Sequence, residues 1–267
     1  MIRRPCVAGQ FYPGHPAELR RFLDRAVGPG TEGVAAVGGV SPHAGYVYSG
    51  GVAGALFRRV HVPDTVLLLG PNHTGLGAPA AVSTCEAWAT PLGEVPVERE
   101  LTGAVLAASP VFEADNLAHA HEHSLEVQIP FLQYRNPDVS IAAVAFMLRS
   151  WEDIRTAGEA IARVLAERTD PVLMVASTDM SHYEPDEVAR QKDRLAIERV
   201  LALDPRGLLD TVRRHGISMC GVIPTAVMLA AARALGASSA ELVEYATSGD
   251  ASGDYARVVG YAAVMVR

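Results

Sequence analysis

Several features that mark common protein classes are missing from this sequence. No run of about 18 apolar residues occurs, so we expect no transmembrane helix. Two arginines follow Met1, but no apolar stretch comes after them, so the start of the chain does not resemble a signal peptide. Basic residues are outnumbered by acidic ones, and the net charge of -7 argues against binding to nucleic acid or to an anionic membrane surface.

Cysteine is scarce and carries no recognisable pairing pattern. Cys6, Cys85 and Cys220 are odd in number and far apart, and no CxxC occurs. This favours individual thiols in a reducing compartment, so we expect a cytoplasmic protein. The motifs GxGxxG, GxxxxGK[ST] and GxSxG are also absent, which leaves nucleotide-binding and α/β-hydrolase functions without support.

The pattern of apolar residues predicts an α/β fold. With 49% hydrophobic and 20% charged residues, the chain of 267 residues can bury a sizeable core. Apolar runs with the length of strands alternate with amphipathic segments with the length of helices, and no linker divides them. We therefore expect a single domain over residues 1–267, with a central, mostly parallel mixed sheet flanked by helices and an antiparallel final pair. Predicted strands span 34–40, 65–70, 139–146, 171–176, 242–247 and 257–266, and predicted helices span 16–27 (stopped by Gly28-Pro29-Gly30), 50–60, 97–108, 124–134, 151–168, 186–203, 205–215 and 223–235, with a polar loop at 248–254.

Polar side chains follow three of these strands at matching positions. His43 lies three residues after Val40, His73 three after Gly70, and Asp179 three after Ala176. If the three strands are parallel neighbours, their carboxyl ends share one edge of the sheet, and the three side chains converge on one crevice. The alternative is structural, with each histidine capping a helix or bonding a carbonyl group.

Cys220 and His182 extend the candidate site. Cys220 precedes a predicted helix with Pro224 in its first turn, where the helix dipole would stabilise a metal-binding thiolate. The structural alternative is a small buried apolar side chain, which is also how we interpret Cys6 and Cys85. His182 lies three residues after Asp179 and could carry a proton near pH 7, with Asp179 orienting it or adding a ligand.

A histidine-rich stretch covers residues 118–126. It is not HExxH, so its spacing does not place two imidazoles and a glutamate on one helical face. If a helix begins near Ser124, that serine is a candidate N-cap and His123 faces the crevice or solvent from the loop before it. We rank His123 above His119 and His121, which would then be solvated.

The ordered motifs resemble those of the Memo family, in particular its prokaryotic branch, named AmmeMemoRadiSam system protein B. The matching segments lie in order over nearly the whole chain: Pro42-His43-Ala44-Gly45-Tyr46, Leu69-Gly70-Pro71-Asn72-His73, Thr90-Pro91-Leu92-Gly93, Glu122-His123-Ser124-Leu125-Glu126, Asp179-Met180-Ser181-His182-Tyr183, Cys220-Gly221 and Thr247-Ser248-Gly249-Asp250.

The resemblance implies a fold like that of the class III extradiol dioxygenases, which hold non-haem Fe(II) with two histidines and a carboxylate. It implies that His43 and His73 are metal ligands, that Cys220 stands where those enzymes have the carboxylate, and that His182 is the acid/base. We group His123 and Asp179 with His182 as candidate catalytic residues. Fe(II) is the expected metal, and Cu or Zn stays open because a thiolate also suits them.

Two functions follow from this resemblance. The first is a metal-dependent redox enzyme that acts on a small-molecule substrate, either aromatic or otherwise reactive with O₂. The second is a non-enzymatic metal-binding or partner-binding protein that acts with the radical-SAM and AMMECR1-like proteins implied by the family name. An inactive relative of the dioxygenases that keeps only the pocket is a third, simpler interpretation.

Overall fold

A computed structural model describes residues 1–28 and 32–267 of the chain, so Pro29 and Gly30 of the predicted helix stop lie outside the described residues. The helices are α1 Pro16–Ala26, α2 Tyr46–Arg59, α3 Arg99–Ala108, α4 Leu117–Ala120, α5 Ile129–Arg135, α6 Trp151–Ala166, α7 Asp186–Leu201, α8 Pro205–His215, α9 Val222–Ala234 and α10 Ser248–Ser252, with a 3-10 turn at Glu126–Gln128. The strands are β1 Ile2–Arg3, β2 Gly38–Ser41, β3 Thr65–Pro71, β4 Ala80–Val82, β5 Ala87–Thr90, β6 Gly93–Pro96, β7 Glu113–Ala114, β8 Ser140–Phe146, β9 Val172–Ser177, β10 His182–Glu184, β11 Ala240–Thr247 and β12 Val258–Val266.

Four parallel strands form the centre of the main sheet, in the order β2, β9, β3 and β8. Antiparallel β12 pairs with β2 on one side, and antiparallel β4 pairs with β8 on the other. The final strands β11 and β12 are antiparallel, as their short connection predicts. The α/β fold with a mixed, mostly parallel sheet is therefore confirmed.

Alternate residues of the central strands pack on opposite faces of the sheet. On β3, Leu67 and Leu69 belong to one core cluster, together with residues of α6 and α9. Val66 and Leu68 belong to the other, together with residues of α1, α2 and α5. Because both faces are covered, the strand is apolar along its length, as is typical of parallel sheets.

Local differences from the predicted elements have identifiable causes. The second helix begins at Tyr46, earlier than expected, because Gly45 provides the extended backbone of an N-cap there. Residues 124–134 form a 3-10 turn followed by α5, with Pro130 in its first turn, where no N–H is required. The predicted loop at 248–254 contains α10, which begins with a capping box between Thr247 and Asp250.

The first residues of the chain form a strand of a second, smaller sheet. Strand β1 pairs with β5 of a smaller sheet formed by β1, β5 and β6. This pairing brings Arg3 into the interior, where its side chain is almost completely buried. In the part of the chain that the structure describes, no helix is both long and apolar enough to cross a membrane.

Candidate metal centre

Three imidazoles converge at the carboxyl edge of the central strands. One ligand atom from each of His43, His73 and His123 lies within 4.8 Å of the other two. The ring centroids are 5.2 Å apart for His43 and His73, 5.4 Å for His43 and His123, and 4.7 Å for His73 and His123. His43 is 2% exposed, whereas the His73 side chain is 34% exposed, so the cluster opens to solvent on the His73 side.

The parallel strands bring two of these histidines together as predicted. Strand β9 lies between β2 and β3, with Val40 beside Ala176 and Ala176 beside Leu69. The loops after β2 and β3 therefore begin at the same level along the strand direction, and they place His43 and His73 in one crevice. The third histidine, His123, lies in the loop before the 3-10 turn. Its position in the site could not be predicted from the pattern of strands.

Two glycines allow the remaining segments to approach the strand ends. A Cβ atom on Gly70 would lie 2.5 Å from Cδ2 of Leu125 and 2.9 Å from Oγ of Ser124. One on Gly221 would lie 2.3 Å from the carbonyl oxygen of Ser177. Glycine at these positions lets the segment bearing His123 and the helix following Cys220 pack directly on the sheet.

His43 has a contact on each ring nitrogen. Its Nδ1 is 2.9 Å from Oγ of Ser177, and its Nε2 is 3.2 Å from Sγ of Cys220. Burial lowers the pKa of His43 well below its ordinary value, and nearby His123, His73 and His182 lower it further. A neutral imidazole is the form that can bind a metal.

Glu122 is hydrogen-bonded to both the ring and the backbone of His73, a role that the sequence did not predict. Its Oε1 lies 2.9 Å from Nδ1 of His73, and its Oε2 accepts the His73 backbone N–H at 2.6 Å. Burial alone would raise the pKa of the Glu122 carboxyl, but the His73 contacts and the backbone N–H of Ser124 lower it to about 2. An ionised carboxylate is only an acceptor, so His73 donates from Nδ1, and in the neutral form of the ring, which is the form that binds metals, the lone pair is on Nε2.

Glu126 fixes the amino-terminal segment beside the cluster. The fully buried carboxylate pairs with Arg3, and it accepts the backbone N–H of Cys6 at 2.8 Å and the hydroxyl of Tyr12 at 2.7 Å. Phe11, next to Tyr12, packs on the His123 ring with centroids 4.8 Å apart. The start of the chain therefore forms one wall of the site, a contact that no local pattern predicts.

Cys220 lies beside His43 at the start of α9. Its Sγ accepts the backbone N–H of Asp179 at 3.2 Å, in addition to the contact with His43. Burial raises the pKa of the Cys220 thiol far above its ordinary value, and the Asp179 carboxylate raises it further. The expectation of a dipole-stabilised thiolate is therefore wrong for the chain without a metal, because burial and a neighbouring acid outweigh the helix terminus.

Asp179 and His182 occupy the edge of the site and are not hydrogen-bonded to each other. Oδ1 of Asp179 accepts the backbone N–H of His43 at 2.7 Å, so this carboxylate orients the His43 loop. Burial raises the pKa of Asp179 to about 6, against the lowering effect of the His43 N–H. Nδ1 of His182 donates to the carbonyl oxygen of Ser218 at 2.9 Å, so in the neutral form of the ring the lone pair is on Nε2.

Tyr183 extends from the same edge into solvent. Its φ of 61° is unusual for a bulky residue, and it lies at the irregularity where β10 pairs with β12. The residue is 66% exposed, and its ring lies 5.9 Å from the ring of His182, with the Arg257 guanidinium 5.6 Å from its centroid.

The other histidines of the tract separate into two environments. His119 is fully buried, with Nε2 3.0 Å from the Ala81 carbonyl oxygen and its ring 5.6 Å from Trp88, so the prediction that it is solvated is wrong. His121 is exposed, as expected. The expected N-cap role of Ser124 is also wrong, because its hydroxyl donates to the Pro71 carbonyl oxygen at 3.2 Å.

Comparison with known proteins gives one consistent family. The model of the Memo family, described as Memo-like protein, matches residues 3–265. A MEMO1 family protein of Methanopyrus kandleri is 46% identical, with 100% of this chain and 99% of the relative covered. One from Methanosarcina acetivorans is 43% identical over 99% of both chains, and one from Aquifex aeolicus is 41% identical over 97% of both.

A solved structure supports the fold. The crystal structure of an uncharacterized protein from Escherichia coli K12 superposes with a TM-score of 0.54 at 13% identity, covering 84% of this chain and 98% of that one. At this identity the similarity concerns the fold alone.

Proposed function

This chain belongs to the Memo family, and we propose that it binds a transition metal at its histidine cluster and uses the metal in redox chemistry on a small molecule. The observation that carries the proposal is the convergence of the ligand atoms of His43, His73 and His123 within 4.8 Å. Support also comes from the hydrogen bonds at Nδ1 of His43 and His73, which leave their Nε2 atoms available. Metal-binding histidines are typically oriented in this way.

The donor set fits several metals. Imidazole suits Fe, Cu, Zn and Ni, and the cluster contains no carboxylate ligand within the described residues. We propose Fe(II) as the native metal, as the resemblance to extradiol dioxygenases implies, with Cu or Zn as alternatives. The thiol of Cys220, 3.2 Å from Nε2 of His43, is what makes the softer metals competitive.

We consider two ligand sets, although among the described residues the group within 4.8 Å contains the three histidines and not Cys220. One uses His43, His73 and Cys220, as the family resemblance implies, and leaves His123 as a catalytic side chain. The other uses the three histidines and leaves Cys220 next to the metal. Because a coordinated thiol is deprotonated, the first set requires the metal to overcome the raised pKa of Cys220.

The protein groups around the cluster suit proton handling. The metal would supply redox chemistry with O₂, and the side chains around it would position the substrate and transfer its protons. His182, with a lone pair on Nε2, is the proposed acid/base, and Asp179 holds the His43 loop in place. Tyr183 provides an exposed aromatic surface at the same edge, which fits a small aromatic substrate. We propose a cytoplasmic location because Cys6, Cys85 and Cys220 are free thiols.

Anaerobic reconstitution tests the metal and its ligands together. Purified protein is incubated with Fe(II), Cu(I) or Zn(II) in turn, desalted and analysed for metal, and a crystal structure at each absorption edge locates the ion. We expect one equivalent of metal in the wild type and its loss in His43→Ala and His73→Ala. His215→Ala, an exposed histidine on α8, is the matched control and should keep the metal. Absence of stoichiometric metal from wild type would contradict the proposal.

The ligand sets are separated by two further variants. If the three histidines bind, His123→Ala loses the metal and Cys220→Ser keeps it. The reverse result favours the set with Cys220. Oxygen uptake with a panel of catechols then tests turnover, which should require His182.

A non-enzymatic role is the second candidate, and the contact between Cys220 Sγ and His43 Nε2 is the observation that favours it. If Cys220, which lies outside the group formed by the three histidines, moved onto the metal together with them, the metal would have four protein ligands, a closed arrangement typical of structural sites. The protein would then bind metal without turnover and act through partners, for which we propose radical-SAM and AMMECR1-like proteins. Four protein ligands in the metal-bound structure, with no oxygen uptake, would support this role over the enzymatic one.

A further inference from the structure

Ser177 is buried beside His43 at the end of β9. It is completely inaccessible to solvent, and its neighbour in the parallel pairing is Ser41 of β2. Its Oγ has three polar neighbours: the carbonyl oxygen of Ser124 at 2.7 Å, Nε2 of Gln128 at 2.9 Å and Nδ1 of His43 at 2.9 Å. A hydroxyl has one proton to donate and two lone pairs to accept with, so these three contacts use its full capacity.

The directions of these hydrogen bonds are fixed by chemistry. A backbone carbonyl oxygen only accepts, so the Ser177 proton is directed to the Ser124 oxygen. The amide of Gln128 can be assigned in the same way, because Nε2 also lies 2.9 Å from the Pro42 carbonyl oxygen, where only a donor fits. The side-chain nitrogen of Gln128 therefore donates to Ser177 as well.

Only one role is left for His43. Because the hydroxyl proton of Ser177 is directed elsewhere, Ser177 can only accept at the third contact, and Nδ1 of His43 must carry the proton. The lone pair of the neutral ring is then on Nε2, the atom 3.2 Å from the Cys220 sulfur. We propose that Ser177, held by Gln128 and the Ser124 carbonyl group, is a positioning residue that selects the tautomer of His43 with Nε2 free for a metal.

This inference rests on the proposed function only for the metal. The tautomer itself is a property of the metal-free protein and is measured there. Outer hydrogen-bonding partners of histidine ligands typically change metal affinity 10- to 100-fold, so a consequence for binding is also expected.

Nitrogen NMR of the metal-free protein tests the proposal. Protein labelled with ¹⁵N-histidine is studied at pH 7.5, where long-range ¹H–¹⁵N correlations distinguish a protonated from an unprotonated ring nitrogen. His43, identified from the signals lost in His43→Ala, should carry its proton on Nδ1 alone in the wild type. In Ser177→Ala the acceptor is lost, and the form protonated on Nε2 should become populated, with metal affinity falling 10- to 100-fold.

The neighbouring strand offers a matched control. Ser41 is also fully buried, is paired with Ser177 in the sheet, and its hydroxyl has no hydrogen-bond partner. Ser41→Ala should therefore leave the His43 tautomer and the metal affinity unchanged, and Ser177→Thr, which keeps the hydroxyl, should restore both. If Ser177→Ala does not fold, Ser177→Cys replaces the hydroxyl by a thiol, whose sulfur is only a weak acceptor, and should make the second tautomer detectable.

The outcomes separate the two proposals. An unchanged His43 tautomer in a folded Ser177→Ala or Ser177→Cys variant overturns the role of Ser177, whether or not metal binds. A wild type that shows the Nδ1-protonated form but binds no metal contradicts the proposed function and leaves the tautomer selection standing.

Discussion

At the scale of single residues, the site is shaped by groups that contact the histidines from behind. Glu122, Ser177 and Asp179 are buried acceptors, and each is hydrogen-bonded to the ring or the backbone of a histidine that we propose as a ligand. These hydrogen bonds hold the imidazole rings of His43 and His73 in position, with the proton on Nδ1, in the protein without a metal. A preorganised site loses less conformational entropy on binding, which is why these residues matter although none belongs to the cluster.

Glu122→Gln should weaken metal binding 10- to 100-fold without unfolding the protein. One amide oxygen cannot replace the two carboxylate oxygens that accept from the His73 ring, the His73 N–H and the Ser124 N–H. Competition with a chromophoric chelator measures the affinity. Glu113→Gln, at an exposed position of β7, is the control and should bind as the wild type does; equal affinity in both variants would contradict the role of Glu122.

His119 should make the protein sensitive to mild acid. Burial lowers the pKa of His119 to about 4, despite its hydrogen bond to the Ala81 carbonyl oxygen, which acts in the opposite direction. The unfolded chain therefore binds a proton below about pH 6.5 that the folded chain does not, and stability is lost as the pH falls from about 6.5 to 4. The loss from this group is about 3 kcal/mol.

Urea unfolding at pH 7 and pH 4.5 measures this effect for wild type, His119→Gln and His121→Gln. Glutamine at position 119 can still donate to Ala81 but does not titrate, so the His119 variant should lose less stability on acidification than the wild type. The exposed His121 provides the control. Equal acid sensitivity of all three proteins would show that His119 is not the cause.

Single residues also show what sequence can reveal about the site. His43, His73 and Asp179 were predictable because each follows a buried strand at a constant distance, and parallel pairing turns that distance into proximity. The burial of His119 and the raised pKa of Cys220 were not, because each depends on neighbours distant in the chain. Only the folded arrangement places Asp179 beside the thiol.

At the scale of elements, close approach of the 122–126 segment to β3 assembles the site. Gly70 permits the approach because any Cβ there would meet Leu125 and Ser124. The same segment carries Glu126, to which residues 3–12 are bound, so its position also determines the wall formed by Phe11. The helices and central strands were predictable from the periodicity of their apolar residues. This segment has no such periodicity, and the sequence predicted a helix from Ser124 onwards.

Gly70→Ala should destabilise the protein by about 1–3 kcal/mol and weaken metal binding, because the added methyl group displaces the segment bearing His123. Gly103→Ala is the matched control. It lies in the exposed part of α3 with nothing within 4 Å of the added Cβ, so it should stabilise the helix by about 0.5–1 kcal/mol and leave the metal site intact. Denaturant unfolding and metal titration measure both variants, and equal effects would contradict the steric argument.

At the scale of the whole molecule, the two cores share one sheet. Residues of β3 alternate between them, so neither core can form without the strands that complete the other. The fold class was predictable at this scale because alternating strands and helices permit few topologies. The insertion of β9 between β2 and β3 was not predictable, since apolar periodicity carries no information about the order of strands in a sheet.

The shared sheet predicts that both cores unfold together. The two tryptophans report on them separately, since Trp88 lies in one core and Trp151 packs against the other. In Trp88→Phe the remaining Trp151 reports on the core that contains Leu67 and Leu69. In Trp151→Phe the remaining Trp88 reports on the core that contains Val66 and Leu68. Fluorescence melts of the two variants, each compared with its own circular dichroism, should give coincident transitions; separate midpoints would indicate two domains within residues 1–267.

The position of β9 also sets the order of events during synthesis. Residues 38–41 and 65–71 leave the ribosome well before residues 172–177, yet in the finished sheet the late strand separates the two early ones. His43 and His73 therefore cannot reach their final spacing on a nascent chain that ends before β9. The spacing that we propose for metal binding therefore exists only once residues 172–177 have been made, so we expect nascent chains that end before β9 to lack the proposed metal site.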